Sequence, residues 1–391
     1  MDKRSCYARP RPMTTPIASI YVHVPFCQTI CGYCDFYSTL LDRSAVSPLV
    51  DALIRELDEY GQRHAIRAST IFVGGGTPTT LPPRELARLL AALRAMADDG
   101  QALEFTVEAN PATVSSETAQ TLAAGGVTRV SIGAQSFQLG ELRVLERIHQ
   151  PPQVEQTLRI CREAGIRSAN LDLIFGVPGQ SLESWRSNLH AALALSPDHL
   201  SCYALTYERG TPLFEQLQAR QVQRVDGELE AQMYEAAIDD LAAAGFEQYE
   251  ISNFSRPGAE CRHNLTYWRN EPYVGIGPSA AGLVDGARYK NVPDTAEYVR
   301  CIREARSPRI QEETRTRDQR SRETMMLGLR LNSGVNRARF AERFGIDPAG
   351  QFADTIARHA EIGLLEVTPT AVRLTRRGRM VADSVAADFL A

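Results

Sequence analysis

The chain of 391 residues is 43% hydrophobic and 23% charged, with a formal net charge of −4. This composition supports one large domain or two to three smaller ones, and it excludes a globally basic surface of the kind that binds nucleic acid. No apolar stretch reaches the ~18 residues of a membrane span, and residues 1–16, interpreted as an N-terminal arm, lack the apolar core of a signal peptide, so we expect a soluble, cytoplasmic protein.

Short β-rich runs alternate with amphipathic helical segments over residues 17–225. The strand candidates are residues 17–24, 70–73, 104–108, 129–132, 170–175 and 199–205, and helical candidates include residues 83–97, 116–124 and 153–164. Six β/α repeats with short connections predict an α/β fold, a parallel sheet with helices outside it. Periodicity leaves open whether the sheet is doubly wound or curled into a partial barrel.

The repeat stops after residue 225. Residues 226–310 are predicted to form an extension that begins with a helix over 227–244 and contains an aromatic loop over 263–273. Residues 307–318 are charged and interrupted by proline, which is typical of a linker. Residues 311–391 are predicted to form a winged-helix-like module of helices and one hairpin. Such modules often bind DNA, but the acidic chain favours packing against the main domain.

Three cysteines follow the first predicted strand, at Cys27, Cys31 and Cys34. Thiolates spaced this closely can each hold one iron of a [4Fe-4S] cluster, which normally takes four cysteines, so one iron would stay open to a ligand that is not protein. The alternatives are three unrelated thiols, or a zinc site whose fourth ligand lies elsewhere. The other five cysteines are scattered, as reduced thiols in a cytosolic protein are.

Polar and glycine-rich segments follow the later strands at the points where each strand ends. Gly74-Gly75-Gly76-Thr77 follows the second strand, and Glu108, Gln135 and Asp172 lie at or near the ends of the next three. Ligands gather at the carboxyl ends of parallel strands, so these residues predict one site. Tight turns, structural ion pairs and ordinary core aromatics remain the alternatives, residue by residue.

The cysteine loop resembles that of the radical S-adenosylmethionine (SAM) superfamily. The segments Tyr21-Val-His-Val-Pro-Phe-Cys27, Glu108-Ala-Asn-Pro and Asn-Leu-Asp172-Leu-Ile-Phe-Gly are similar to the family of oxygen-independent coproporphyrinogen III dehydrogenase and its relatives. The resemblance implies a partial (β/α)6 barrel, a [4Fe-4S] cluster on the three cysteines, and SAM. The residues implied to line SAM are Tyr21, Tyr33, Gly75, Gly76, Thr77, Glu108, Gln135, Arg147, Asp172, Ile174 and Ala204.

Two departures indicate a branch of that family. The dehydrogenase has a further cysteine where this chain has Phe36, and His263-Asn-Leu-Thr-Tyr267-Trp268 resembles the His-Asn-x-x-Tyr-Trp segment of the heme chaperone branch. The resemblance implies heme as cargo, with His263 as axial ligand and Tyr267 and Trp268 as flat apolar surface. A histidine that caps a loop among core aromatics is the alternative.

The implied function is a heme chaperone that passes heme to acceptor proteins, such as respiratory hemoproteins, through transient contact. The alternative is oxidative decarboxylation of coproporphyrinogen III by radical SAM chemistry. We expect no nucleic-acid partner and no integral membrane segment.

Overall fold

The computed structural model describes residues 16–390, so all but the last residue of the expected N-terminal arm lies outside the described residues. The strands are β1 (Ile17–Val24), β2 (Phe26–Cys27), β3 (Thr39–Leu40), β4 (Ile66–Gly75), β5 (Glu104–Ala109), β6 (Arg129–Gln135), β7 (Ser168–Phe175), β8 (His199–Ala204), β9 (Glu247–Gln248), β10 (Asn253–Ser255), β11 (Val274–Ile276), β12 (Ala281–Val284), β13 (Ala287–Asn291), β14 (Arg309–Thr314), β15 (Val335–Asn336), β16 (Leu365–Val367) and β17 (Ala371–Leu374). The helices are α1 (Arg43–Arg63), α2 (Pro83–Arg94), α3 (Ser116–Ala124), α4 (Leu139–Val144), α5 (Pro151–Glu163), α6 (Leu182–Ala194), α7 (Pro212–Gln218), α8 (Gly227–Ala243), α9 (Arg262–Trp268), α10 (Thr295–Arg303), α11 (Arg317–Gly328), α12 (Arg337–Phe344), α13 (Pro348–Gln351), α14 (Ala353–Glu361), α15 (Arg376–Arg379) and α16 (Ala382–Ala387).

The main sheet is a partial barrel. Its strand order is β11-β1-β4-β5-β6-β7-β8-β10-β9, and the six central strands are parallel and follow one another in chain order. A doubly wound sheet reverses direction at a switch point, whereas this order never reverses across the six strands. The predicted α/β fold with six parallel strands is confirmed.

Polar and apolar residues alternate along the barrel strands. On β6, Val130 and Ile132 are fully buried against the outer helices, while Arg129 and Ser131 line the interior cavity. Asn170 and Asp172 on β7 line the same cavity. Side chains two apart share one face of a strand. One face of each strand therefore packs in the hydrophobic layer under the helices, and the other face lines a polar interior.

The extension differs from its prediction in two places. The expected linker contains β14, which pairs with β13 in a three-stranded antiparallel sheet, so the linker interpretation is wrong. The exposed, charged side chains of this edge strand gave it the composition of a linker. The expected aromatic loop contains the short helix α9. We propose that the C-terminal module begins after Thr314 rather than at residue 311.

The C-terminal module has its own hydrophobic core, built from side chains of α11 to α16 and the small sheet β15-β17-β16, among them Met325, Phe340, Phe352 and Phe389. It packs on α8 of the extension, where both Arg376 terminal nitrogens donate to the Asp239 carboxylate at 2.7 and 2.9 Å. No helix within residues 16–390 is long and apolar enough to cross a membrane.

Candidate functional site

The cysteine loop leaves the barrel after β1. Cys27 ends β2, and the amide of Cys34 donates to the carbonyl of Cys31 at 3.1 Å, which folds the loop back on itself. All three thiols are partly exposed. Burial raises the pKa of the Cys34 thiol to about 11 and also raises the pKa of Cys27. The metal-free thiols of Cys27 and Cys34 are therefore protonated at neutral pH, and a metal cluster would have to displace those protons.

A cation and a hydroxyl lie beside these thiols. Arg147 Nη1 is 3.4 Å from the Cys31 Sγ, and its Nη2 donates to the Gly133 carbonyl at 2.7 Å. The Thr77 Oγ1 is 3.5 Å from the Cys27 Sγ. A fixed guanidinium favours thiolates and an anionic cluster. The donor set therefore fits a [4Fe-4S] cluster, in which each thiolate binds a separate iron.

A single-ion centre has a different geometry. Within residues 16–390, no three His, Cys, Asp or Glu side chains converge on a point where one metal ion would be held.

The glycine-rich segment is shaped by close backbone approach. Gly75 has φ +108°, a conformation that favours glycine, and a Cβ at this position would lie 2.6 Å from the ring of His23. The amides of Gly76 and Thr77 donate to the carbonyls of Val24 and Phe26, each at 2.8 Å. The segment is thereby fixed beside the cysteine loop with its backbone close to the cavity.

Two half-buried carboxyl groups, those of Glu108 and Asp172, line the cavity. Burial, reinforced by the nearby Asp172, raises the pKa of Glu108 to about 8, although the Gly75 amide donates to Glu108 Oε2 at 3.0 Å. Burial also raises the pKa of Asp172, which accepts hydrogen bonds from Asn170 at 2.8 Å and Ser131 at 3.2 Å. Both groups are positioned to bind hydroxyl or cationic groups of a ligand.

Gln135 and Arg147 meet at Gly133. A Cβ at Gly133 would lie 2.9 Å from the Gln135 amide nitrogen and 3.2 Å from Arg147 Nη2, so the missing side chain makes room for both. Gln135 itself has φ +62°. The loop that carries them is held by the buried Glu141, which accepts hydrogen bonds from Ser136 at 2.6 Å and Asn188 at 2.8 Å.

A cavity of about 210 Å³ runs through the barrel interior. Of the predicted site residues, six line it: Tyr21, Gly75, Glu108, Asp172, His263 and Tyr267. Four others lie outside this lining: Thr77 and Arg147 contact the cysteine loop, Gly76 approaches the backbone of Pro25 and Phe26, and Gln135 lies against Gly133. Tyr33 and Ile174 pack in a separate hydrophobic cluster. Ala204 pairs with Phe175 at the end of β8, and Trp268 faces the C-terminal module.

Other cavity residues were missed from the sequence. They are Phe72, Arg129, Ser131, Asn170, His199, Ser201 and Tyr203. The signal that could have found most of them is the alternation along each strand, since Arg129-x-Ser131, Asn170-x-Asp172 and His199-x-Ser201-x-Tyr203 place polar side chains on one face. Phe36, Cys261 and Asn264 also line the cavity, and the sequence had singled them out: Phe36 as a departure from the dehydrogenase, Asn264 as part of the His263 segment, and Cys261 as a neighbour of His263 that could also reach heme. Phe36, 73% exposed, lies at the cavity mouth.

His263 lies inside the barrel wall rather than on a surface. Its exposed fraction is 0%, its Nδ1 is hydrogen-bonded to Thr70 Oγ1 at 2.9 Å, and its Nε2 to Tyr267 Oη at 2.8 Å. Its ring stacks on Phe72 with centroids 5.3 Å apart. Burial lowers the imidazole pKa to about 3, so the ring is neutral. Both nitrogens are occupied in this conformation.

Profiles of two families match the chain. The radical SAM superfamily matches residues 21–192, and the HemN C-terminal domain matches residues 316–381. Among solved structures, that of Escherichia coli coproporphyrinogen III oxidase (HemN), described as a radical SAM enzyme, is similar with a TM-score of 0.83 and 24% identity, covering 97% of this chain and 91% of that one. This likeness establishes the fold. Fold and cysteine loop together define a radical SAM protein, a class that implies a [4Fe-4S] cluster and SAM.

Curated relatives identify the branch of the radical SAM class to which the chain belongs. Heme chaperone HemW of Bacillus subtilis (strain 168) is 37% identical over 374 residues, covering 95% of this chain and 99% of the relative. Heme chaperone HemW of Escherichia coli (strain K12) is 40% identical over 273 residues, 69% of this chain and 71% of the relative. A mitochondrial radical S-adenosyl methionine domain-containing protein 1 of Danio rerio is 32% identical over 81% and 74%. The chain belongs to the HemW family.

Proposed function

We propose that this protein is a heme chaperone, which binds heme and transfers it to acceptor hemoproteins. The observation that carries the proposal is the 37% identity to a relative named Heme chaperone HemW across 95% of this chain and 99% of that relative. A likeness that spans both chains from end to end includes the segment around His263 and the C-terminal module as well as the barrel. The heme acceptor is a hemoprotein, reached through transient contact, and the expected compartment is the cytoplasm.

The protein would carry a [4Fe-4S] cluster on Cys27, Cys31 and Cys34, with SAM exchangeable at its fourth iron. When bound, such a cluster can supply an electron to the sulfonium of SAM. Arg147, 3.4 Å from the Cys31 sulfur, would offset the negative charge of cluster and SAM carboxylate. Glu108 and Asp172 would accept hydrogen bonds from the SAM ribose or ammonium group. The remaining proposed SAM contacts are Tyr21, Tyr33, Gly75, Gly76, Thr77, Gln135, Ile174 and Ala204.

Heme would be bound by His263, with Tyr267 and Trp268 providing flat apolar contact. An imidazole can ligate iron only through a nitrogen lone pair that is not already engaged. In the described conformation both His263 nitrogens are hydrogen-bonded and the ring is fully enclosed. Heme binding at this residue therefore requires α9 to move.

Decarboxylation of coproporphyrinogen is the competing activity, and we propose that it is absent. Phe36 stands at the cavity mouth, 73% exposed, where the dehydrogenase implied by the sequence resemblance has a cysteine. The solved coproporphyrinogen oxidase is 24% identical to this chain, so its likeness concerns the fold alone.

The test is anaerobic reconstitution of the full chain with iron and sulfide, followed by heme titration and a coproporphyrinogen assay on the same sample. We expect about one heme per chain and no protoporphyrinogen product. SAM-dependent decarboxylation of coproporphyrinogen would make the enzyme reading correct, and an absence of heme binding would remove the chaperone proposal.

The ligand assignment has a matched control. His263→Gln should weaken heme binding and change the heme absorbance spectrum, because glutamine offers no imidazole. His199 lines the same cavity, is equally enclosed, and has both nitrogens engaged, by Asn170 at 2.7 Å and Tyr249 at 2.8 Å. His199 lies on the barrel strand β8 rather than on α9, so His199→Gln should leave heme binding unchanged. Equal heme affinity and spectra in wild type and His263→Gln would show that His263 is not the heme ligand.

A further inference from the structure

The helix α9 carries His263 and is held from two sides. On the barrel side, Glu104 at the start of β5 accepts hydrogen bonds from the amides of Arg262 at 2.8 Å and His263 at 2.9 Å. These bonds satisfy amides of the first helical turn that have no partner within the helix. They fix the amino end of α9 against the barrel at the start of β5.

On the other side, the C-terminal module holds the carboxyl end of α9. The Arg330 guanidinium lies 4.6 Å from the centroid of the Trp268 ring, and Asn270 donates to Glu323 at 3.1 Å and to Thr324 at 3.0 Å. Arg343 donates to the Asn270 carbonyl at 2.9 Å. We call this set, Arg330, Glu323, Thr324 and Arg343 of the module, the latch.

Residues with positive φ lie on either side of α9. Residues 256–258 before it are exposed, and Gly258 has φ +81°. Asn270 after it has φ +52°, in the left-handed region that asparagine tolerates better than most residues. The helix itself spans only Arg262–Trp268, a length that is marginal without tertiary contacts. Its position therefore depends on what it packs against.

We infer that the C-terminal module regulates access to His263: while the latch holds Trp268 and Asn270, α9 stays seated and the imidazole is enclosed, and release of the latch lets α9 swing out and offer His263 to heme. This inference rests on the proposed heme-binding role of His263. It explains why a residue expected to bind a large macrocycle has an exposed fraction of 0% in the described conformation. Whether the latch of the C-terminal module is closed or released thus controls heme uptake and release at His263.

Two variants weaken the latch by different routes. Arg330→Met removes the guanidinium from the Trp268 face. Asn270→Gly removes the side-chain bonds to Glu323 and Thr324, together with the bond that Asn270 Oδ1 accepts from Arg288 of β13 at 2.8 Å, while suiting the left-handed backbone. The matched controls are Arg377→Met, an exposed arginine of the same module, and Ala305→Gly, an exposed residue with φ +54° far from α9 in sequence.

The measurements are hydrogen–deuterium exchange of a peptide covering residues 262–270 and the association rate of hemin, both on the full reconstituted chain. We expect each latch variant to raise both quantities about fivefold, as loss of one partly buried cation–π or hydrogen-bonded contact would, and both controls to match wild type. Adding His263→Gln to Arg330→Met should abolish the gain in hemin association and leave the gain in exchange.

Wild-type exchange over residues 262–270 in both latch variants would overturn the inference, and so would faster exchange with an unchanged hemin association rate. If Arg330→Met unfolds the module, Asn270→Gly alone decides between these outcomes. Failure of the wild-type protein to bind hemin at all would refute the proposed function, while the exchange result would still decide separately whether the module holds α9.

Discussion

Glu108 provides a quantitative test of the proposed SAM site. Its carboxyl group lies beside Gly74 in the cavity, where desolvation raises its pKa to about 8, so at pH 7 only about a tenth of the protein carries the charged form. SAM has a sulfonium and an ammonium group, and a carboxylate at this position attracts both. SAM binding at pH 7 must therefore be accompanied by loss of a proton from Glu108. At pH 9 most of the protein has already lost that proton.

The size of the effect follows from that pKa. A site that binds SAM only when Glu108 is ionised gains about tenfold in affinity between pH 7 and pH 9, because the ionised fraction rises from about one tenth to about nine tenths. Glu108→Gln removes the titration. The ratio of the variant's Kd to the wild-type Kd should therefore rise about tenfold over this range.

The assay is anaerobic calorimetry or equilibrium dialysis of SAM with the cluster-loaded protein. Comparing variant with wild type at each pH cancels the titration of the SAM amino group. Glu56→Gln is the matched control, since burial raises the pKa of this acid to about 7 while it is bonded to Gly277, Asn291 and Tyr298 outside the cavity. A Kd ratio that stays constant, or falls as pH rises, would refute the reasoning.

Three further outcomes follow from the same structure. Cys34→Ser should lower the iron content of reconstituted protein from about four per chain to below one, by colorimetric assay, because two thiolates do not retain the cluster. Gly75→Ala, at φ +108° and with its Cβ 2.6 Å from His23, should reduce the free energy of unfolding by about 1–3 kcal/mol, whereas Gly140→Ala, with open space around it, should not. Burial raises the pKa of Glu56 in the folded protein from 4.5 to about 7. The protonated side chain therefore contributes its full stability below pH 4.5, and this contribution is lost as pH rises through 7. In urea unfolding, the wild type should lose about 3 kcal/mol of unfolding free energy between pH 5 and pH 8 that Glu56→Gln does not lose.

The order of the barrel elements was predictable because each is encoded locally. The strand Ile17–Val24 and the helix Ser116–Ala124 have the bounds predicted from their patterns, since alternation, capping residues and terminal glycines act over a few residues. The three cysteines are likewise close in sequence, so their loop could be recognised without knowledge of the fold.

Edge elements were harder to predict. The strand Arg309–Thr314 has one half-buried residue followed by five exposed ones, so its sequence carries no alternating apolar signal. It forms a strand because β13 offers it a partner, and that partner lies more than 15 residues away along the chain. Local composition therefore indicated a linker where pairing made a sheet.

The sequence alone determined the class of chemistry, through three thiols whose spacing suits a cubane, and the presence of six β/α repeats. The strand order that makes these repeats a partial barrel was decided by the tertiary structure. Tertiary structure alone decided what surrounds His263, because Thr70, Phe72 and Arg330 reach α9 from strands and helices that are distant in the chain. Ligand residue types can be read from a motif, whereas the accessibility of a nitrogen lone pair depends on packing between remote elements.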